Sequence, residues 1–115
     1  MNWNVIESVF GAPAPNELVD LHSKVLTCAQ APVEFRFENV RFVVEVQYFL
    51  DIEDPANHEP DKGLLAFAVT SDGDRLLIDL KAADLPILQE ELGTVDSIGL
   101  TIGDLLVGRP YSLIG

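Results

Sequence analysis

The sequence predicts an α+β fold in which two N-terminal helices pack on a mainly antiparallel sheet of about five strands, with a short helix near the C-terminus. Apolar residues recur with the period of a helix before residue 31 and with the period of a strand from Val33 onward. An Asp-Gly pair, Asp72-Gly73, joins two apolar runs, which is typical of a hairpin. Helices grouped before hairpin-connected strands indicate an α+β domain, and 115 residues suit a single domain over 1–115.

Two helices open the chain. The first is predicted over residues 3–10, where three apolar side chains share one helical face: Trp3, Ile6 and Phe10. Gly11 is a suitable stop for it. The second is predicted over residues 17–30, with Asn16 as its N-cap and Pro32 beyond its end. Its apolar face would carry Leu18, Leu21, His22, Val25, Leu26 and Ala29.

The strands follow the helices as five apolar runs, at residues 33–38, 42–50, 63–70, 75–80 and 86–88. The run at 63–70 is almost continuously apolar, as expected for a central strand that is buried on both faces. Residues 51–62 carry five acidic residues and two prolines, which predicts an exposed loop. Near the C-terminus, Thr101 and Asp104 have the spacing of a helix start in which the threonine hydroxyl caps the helix, so a short helix is predicted there.

Composition excludes several classes of function. Acidic residues outnumber basic ones 19 to 7, giving a formal net charge of −12. Direct nucleic-acid binding and polybasic membrane attachment are disfavoured, because both need clustered lysine and arginine. Cys28 is the single cysteine, so an intrachain disulfide and a cysteine-rich zinc site are excluded. The first residues do not read as a signal peptide, and no apolar run reaches membrane-spanning length, so we expect a cytoplasmic protein.

Catalytic and metal-binding patterns are absent from the sequence. Cys28 lies six residues after His22, about 120° away around a helix, so the two do not share a face. Residues 51–62 superficially invite a metal ion, but an EF-hand loop that began at Asp51 would need glycine and glutamate where Ala56 and Lys62 stand. Asp72 and Asp74 are typical of a turn rather than of a ligand pair, and no phosphate-binding loop is found. The sequence therefore predicts no catalytic residues, no metal and no cofactor.

Four stretches of the chain carry a resemblance to a known family. They are Ile6 to Phe10 followed by Gly11, Pro15 and Glu17-Leu18-Val19-Asp20-Leu21; Phe49-Leu50-Asp51-Ile52-Glu53; Leu65-Ala66-Phe67-Ala68 through Asp72-Gly73-Asp74 to Leu77-Ile78-Asp79-Leu80; and Thr101-Ile102-Gly103-Asp104-Leu105-Leu106. In this order they resemble the SUKH superfamily, which includes bacterial toxin-immunity proteins and a fungal cell-wall regulator. The resemblance implies a sheet flanked by helices and a protein that binds and neutralises another protein, without shared catalytic residues.

An acidic partner-binding surface is the predicted functional site. With the resemblance included, the expected partner is a basic toxin domain, of which a nuclease is one candidate, because a strong negative field steers a basic protein toward its target. The residues predicted to meet it lie in residues 51–61 and in the turn at 72–74: Asp51, Glu53, Asp54, Glu59, Asp61, Asp72 and Asp74. Three alternatives stay open: a regulatory or scaffolding module of the same fold, which a stable homodimer would favour; acids that only keep the domain soluble; and a small hydrolase.

Overall fold

The computed structural model describes the backbone of residues 2–28, 35–38, 43–107 and 109–112, and the side chains of residues 2–23 and 44–107. Its elements in chain order are α1 (Asn4–Phe10), α2 (Asn16–Cys28), β1 (Phe35–Glu38), β2 (Val43–Phe49), β3 (Leu64–Thr70), β4 (Arg75–Asp79), β5 (Pro86–Glu91), β6 (Thr94–Thr101), α3 (Ile102–Val107) and β7 (Arg109–Ser112). Two single-turn 3₁₀ helices, Pro55–Asn57 and Pro60–Lys62, lie between β2 and β3. This order confirms the α+β fold.

The strands form one sheet in the order β6-β5-β4-β3-β2-β1-β7. Each neighbouring pair is antiparallel, and consecutive strands from β1 to β6 lie side by side. The five predicted strands are all present as β1 to β5, and β6 and β7 extend the sheet at its two edges. The last described strand, β7, pairs with β1 and forms one edge of the sheet.

Strand β3 is the middle strand, as the continuous apolar run predicted. Six of its seven residues are buried, and only the last is half-buried. Its successive side chains point to opposite faces of the sheet, so both faces must be covered. Leu65 and Phe67 belong to the larger apolar cluster, whereas Leu64 and Ala66 belong to a smaller one. We call the first the helix face and the second the loop face.

The helix face carries the main core. The helices contribute fully buried side chains to it, and they pack against sheet residues such as Leu76 and Ile78. The buried helical residues are Ile6, Leu18, Leu21, Ile102 and Leu105. Burying such a side chain contributes about 1.5–3 kcal/mol. The helices are therefore held by their packing, since α1 and α3 are too short to be stable alone.

The ends of the helices follow the local chemistry of the sequence. Gly11 has φ of 77° and its N–H donates to the Glu7 carbonyl, which confirms the predicted stop of α1. Helix α2 begins at Asn16, one residue earlier than predicted, because the Pro15 carbonyl accepts the first helical hydrogen bonds. At α3 the Asp104 N–H donates to Thr101 Oγ1 at 3.3 Å and the Thr101 N–H donates to Asp104 Oδ2 at 2.9 Å. This reciprocal pair is a capping box.

The connection between β2 and β3, residues 50–63, contacts both faces of the sheet, since Ile52 packs in the helix-face cluster and Leu50 packs against the loop-face cluster. It is mostly exposed, as predicted, but Ile52 and His58 are buried. The loop face has a smaller core of Leu64, Ala66 and Leu77, onto which Leu50, Leu88 and Val95 pack while half-exposed. In the described part of the chain, every helix is too short or too polar to cross a membrane.

Candidate functional site

The part of the chain from Val44 to Val107 has a large surplus of negative charge. It contains 14 acidic and three basic residues. Each of the three basic side chains is held close to an acidic residue: Lys62 Nζ lies 3.4 Å from Glu59 Oε1, Lys81 Nζ lies 3.4 Å from the Asp61 carbonyl oxygen, and Arg75 is described below. Since 14 carboxylates face three cations, of which Lys62 and Arg75 form ion pairs, the outward field of this part is negative.

Arg75 is the centre of an ionic cluster on the loop face. Its guanidinium makes two hydrogen bonds to the Glu90 carboxylate, at 3.0 and 2.9 Å, and a third to Glu59 Oε2 at 3.1 Å. Its Nη1 donates to the Asn57 carbonyl at 3.0 Å. The hydrogen bonds from Arg75 hold the pKa of Glu90 below its usual range. This one side chain thus fastens the loop that follows β2 to strands β4 and β5.

Three of the predicted loop acids have local structural contacts. Asp51 Oδ1 accepts from the Glu53 N–H at 3.0 Å, and Asp54 Oδ1 caps the first 3₁₀ helix by accepting from the Ala56 N–H at 3.0 Å. Glu53 Oε1 accepts from the Asn2 N–H at 2.7 Å, which ties the loop to the start of the chain. These carboxylates are exposed, so they stabilise the loop and still contribute to its negative charge.

The predicted turn acids lie at the other end of β3 from most of the loop acids. The loop enters β3 at Leu64 and the turn leaves it after Thr70, about 20 Å apart along the strand. Asp74 Oδ2 accepts a 2.8 Å hydrogen bond from Gln89 Nε2, which joins the β3–β4 hairpin to β5. Among the seven predicted acids, Asp61 and Asp72 are the two whose carboxylates contact no other described residue.

Asp72 also lies at the edge of a groove, which we call the β2–β6 groove. The groove crosses the helix face near the β3–β4 turn and has a volume of about 810 Å³. Its apolar wall is formed by Val44, Leu76, Ile98 and Leu100, and its polar rim by Glu45, Thr70, Ser71, Asp72, Gln89 and Gly99. Within that described lining, none of the side chains is basic. The groove therefore combines an apolar wall with negative charge at its rim.

His58 is a buried side chain with two backbone partners. It is 6% exposed, its Nε2 lies 2.8 Å from the Ile52 carbonyl, and its Nδ1 accepts a 3.0 Å hydrogen bond from the Ala66 N–H. Since Nδ1 accepts, the neutral ring carries its proton on Nε2 and donates it to Ile52. Ala66 lies beyond the last β2–β3 pair, so the ring supplies an acceptor that β2 no longer provides. Both ring nitrogens are engaged by the backbone.

His22 is half-buried and meets an aromatic ring. It lies on α2 with its ring edge-on to Trp3, the ring centroids 5.2 Å apart. Burial lowers the pKa of His22, and the carboxylate of Glu53 acts in the opposite direction. Beside it lies an apolar cavity of about 70 Å³ lined by Leu18, Leu21, Phe49, Leu50, Ile52 and Phe67. The side chain of Cys28, which is predicted from the sequence to lie on a different face of α2 from His22, lies outside the described residues.

Arg75, His58 and Gln89 are the structurally important polar residues that sequence reasoning missed. Arg75 stands at the start of a predicted strand and Glu90 lies beyond the end of the last predicted one, so their cross-strand pairing is visible only from the register of β4 and β5. His58 lies in an acidic stretch without periodicity, and nothing in that stretch marks it as buried. The Asp74–Gln89 contact likewise depends on the register.

Within the residues described, no group of three or more histidine, cysteine or acidic side chains is arranged to hold a metal ion. Comparisons of the chain with models of protein families, with curated proteins and with solved structures find no match.

Proposed function

We propose that this chain is a non-catalytic protein-binding domain of the SUKH type, working in the cytoplasm as an immunity protein that neutralises a cognate basic toxin. The observation that carries the proposal is the surplus of 14 acidic over three basic residues between Val44 and Val107, where two of the three cations, Lys62 and Arg75, form ion pairs with acidic side chains. Such a surface attracts a basic protein over long range and raises its association rate.

A nuclease toxin is the partner class that this field fits best. A nuclease must attract the phosphate backbone of its substrate, so its substrate groove is basic. An acidic domain can occupy that groove and exclude the nucleic acid. The loop at residues 51–61 and the turn at 72–74 are the proposed contact regions, because both are mostly exposed and both carry the acidic residues predicted from the sequence.

The hydrogen bonds of His58 support a binding role. A general base needs a ring nitrogen free to take a proton from its substrate. In His58 both ring nitrogens are within 3.0 Å of backbone groups, so this ring stabilises the loop.

The test is a growth-rescue and binding experiment with the product of a neighbouring toxin-like gene. We expect co-expression to restore growth, and the purified proteins to associate at micromolar concentration or below. The association rate should fall at least tenfold between about 50 and 500 mM salt, because screening shortens the range of the field. Absence of both rescue and a complex would contradict the proposal.

A regulatory or scaffolding module is the second candidate. The observation that favours it is the half-exposed apolar edge of the loop face, formed by Leu50, Leu88 and Val95, which a second copy could cover. Sedimentation at increasing protein concentration separates the two functions. A stable homodimer together with no effect on toxin would favour the module.

A further inference from the structure

The β2–β6 groove assigns a more specific contact to the protein–protein interaction. We propose that it docks a basic and apolar segment of the partner protein, with apolar side chains on its wall and an arginine or lysine at its acidic rim; this inference rests on the proposed function. It differs from the sequence-based prediction, which placed most of the contact on residues 51–61.

The shape of the groove fits an inserted peptide segment. Its volume of about 810 Å³ falls in the range of sites that bury a ligand of several side chains. Val44, Ile98 and Leu100 are half-buried, so each keeps apolar surface that a partner side chain could cover. Leu76 is only 1% exposed and forms the base between them. Covering such surface contributes about 25 cal/mol per Å².

The negative charge at the rim of the groove favours a partner segment that is positively charged. Asp72 places a carboxylate at this rim, and none of the described lining residues carries a positive charge. Glu45 also lines the groove, but it lies opposite Arg36 in the β1–β2 register and already has a partner, so its charge is engaged within the fold. Asp72 is exposed, and its carboxylate contacts no other described residue, so the fold does not use it. A guanidinium or ammonium group entering the groove would gain the attraction of the Asp72 carboxylate. A second copy of this chain carries the same charge surplus and is disfavoured as the occupant.

The turn that holds Asp72 is ordered before any partner arrives. The Thr70 N–H donates to the Asp74 carbonyl at 2.8 Å, and the Gly73 N–H donates to the Thr70 carbonyl at 2.9 Å. Asp74 Oδ2 accepts a hydrogen bond from Gln89, which also lies in the rim of the groove. Since the rim is already fixed, binding costs little ordering of the turn.

The experiment is a titration followed by two-dimensional NMR with a capped pentapeptide of alternating leucine and arginine. The full chain is used, and an analogue with glutamate in place of arginine is the charge control. We expect saturable shifts at Val44, Leu76, Ile98 and Leu100 with the arginine peptide and none with the glutamate analogue. Asp72→Lys should weaken binding at least tenfold, and Asp72→Asn by a smaller factor.

Asp84→Lys is the matched variant. Asp84 is also exposed, but it lies between β4 and β5 at the opposite end of β4 from Asp72, so it tests the general field with the same change of charge. We expect it to weaken binding less than twofold. Equal effects of the two variants on binding, or NMR shifts confined to residues 51–62, would contradict docking in the groove. Binding would then depend only on the general negative charge of the surface.

Two further outcomes also decide against the groove. The absence of saturable shifts at millimolar peptide would overturn it. Shifts that follow the concentration of the protein itself would show that a second copy is the occupant. Because the titration uses no toxin, its failure leaves the rescue experiment standing. Failure of rescue with peptide binding intact would contradict the toxin partner alone.

Discussion

Replacing His58 by phenylalanine gives the most direct test of the structure. The ring volume and the contact with Phe10, whose ring centroid is 5.6 Å away, are largely kept, while both ring nitrogens are removed. The Ala66 N–H and the Ile52 carbonyl would then lose their partners in a buried environment, since Ala66 is 0% and Ile52 is 7% exposed. Each buried polar group left without a partner costs about 1–3 kcal/mol, so for the two groups we expect a loss of about 2–6 kcal/mol.

The assay is reversible unfolding by heat and by urea. For a chain of this length, about 1 kcal/mol corresponds to about 4 °C in Tm, so His58→Phe should lower Tm by about 8–24 °C. His22→Phe is the matched control, because it makes the same replacement at a half-buried ring that faces Trp3. It should change the free energy of unfolding by less than about 1 kcal/mol.

A spectroscopic measurement tests the same contacts without a mutation. The two hydrogen bonds require the Nε2–H tautomer of His58, which two-dimensional ¹⁵N NMR of the imidazole distinguishes from the Nδ1–H form. If His58→Phe and His22→Phe lower Tm equally, or if the Nδ1–H tautomer is found, the two backbone contacts of His58 do not hold the loop.

Three further changes have expected outcomes. Arg75→Met should lower the free energy of unfolding by about 1–2 kcal/mol, whereas Lys62→Met, whose side chain is 65% exposed, should lower it by less than about 0.5 kcal/mol, both measured by urea unfolding. Because Arg75 lowers the pKa of Glu90, the difference between the two variants should be complete above pH 4.5 and shrink below it. Since burial lowers the pKa of His22, the unfolded chain binds the proton first, so the free energy of unfolding should be highest above pH 6.5 and decrease as the pH falls below it. His22→Phe should reduce this pH dependence, and an equal pH dependence in the variant would contradict the burial of the ring. Leu92→Asn should raise Tm by about 2–4 °C, because Leu92 is 99% exposed with φ of 51°, a conformation that asparagine adopts more easily; an unchanged or lower Tm would count against the turn.

Elements with a strong local pattern could be predicted from the sequence. The helical spacing of Ile6 with its neighbours and of Leu18 with Leu21 identified α1 and α2, because burial of one face imposes a period of 3.6 residues. The capping box at Thr101 placed the start of α3. Asp72-Gly73 identified the β3–β4 hairpin, because this pair suits a tight turn between antiparallel strands.

The two edge strands could not be predicted because their sequences oppose the usual strand signals. Strand β6 follows a two-residue turn in which Leu92 and Gly93 both have positive φ, where asparagine would have marked the turn clearly. Gly99, with φ of 79°, interrupts its alternation. Strand β7 contains Pro110, which argues against a central strand but is tolerated at an edge.

The candidate site was harder to predict than the fold, because an acidic residue in a sequence does not show whether the fold uses its charge. Asp54 caps a 3₁₀ helix, Glu59 pairs with Arg75, and Asp74 holds Gln89, so these residues stabilise the domain whether or not a partner exists. Asp72 has no such contact among the described residues, and it lies on the rim of the β2–β6 groove, which has an apolar wall. Neutralising a capping acid changes both stability and charge, whereas neutralising Asp72 changes charge alone. A loss of binding without a loss of Tm in Asp72→Asn would therefore separate a partner-facing acid from one that the fold requires.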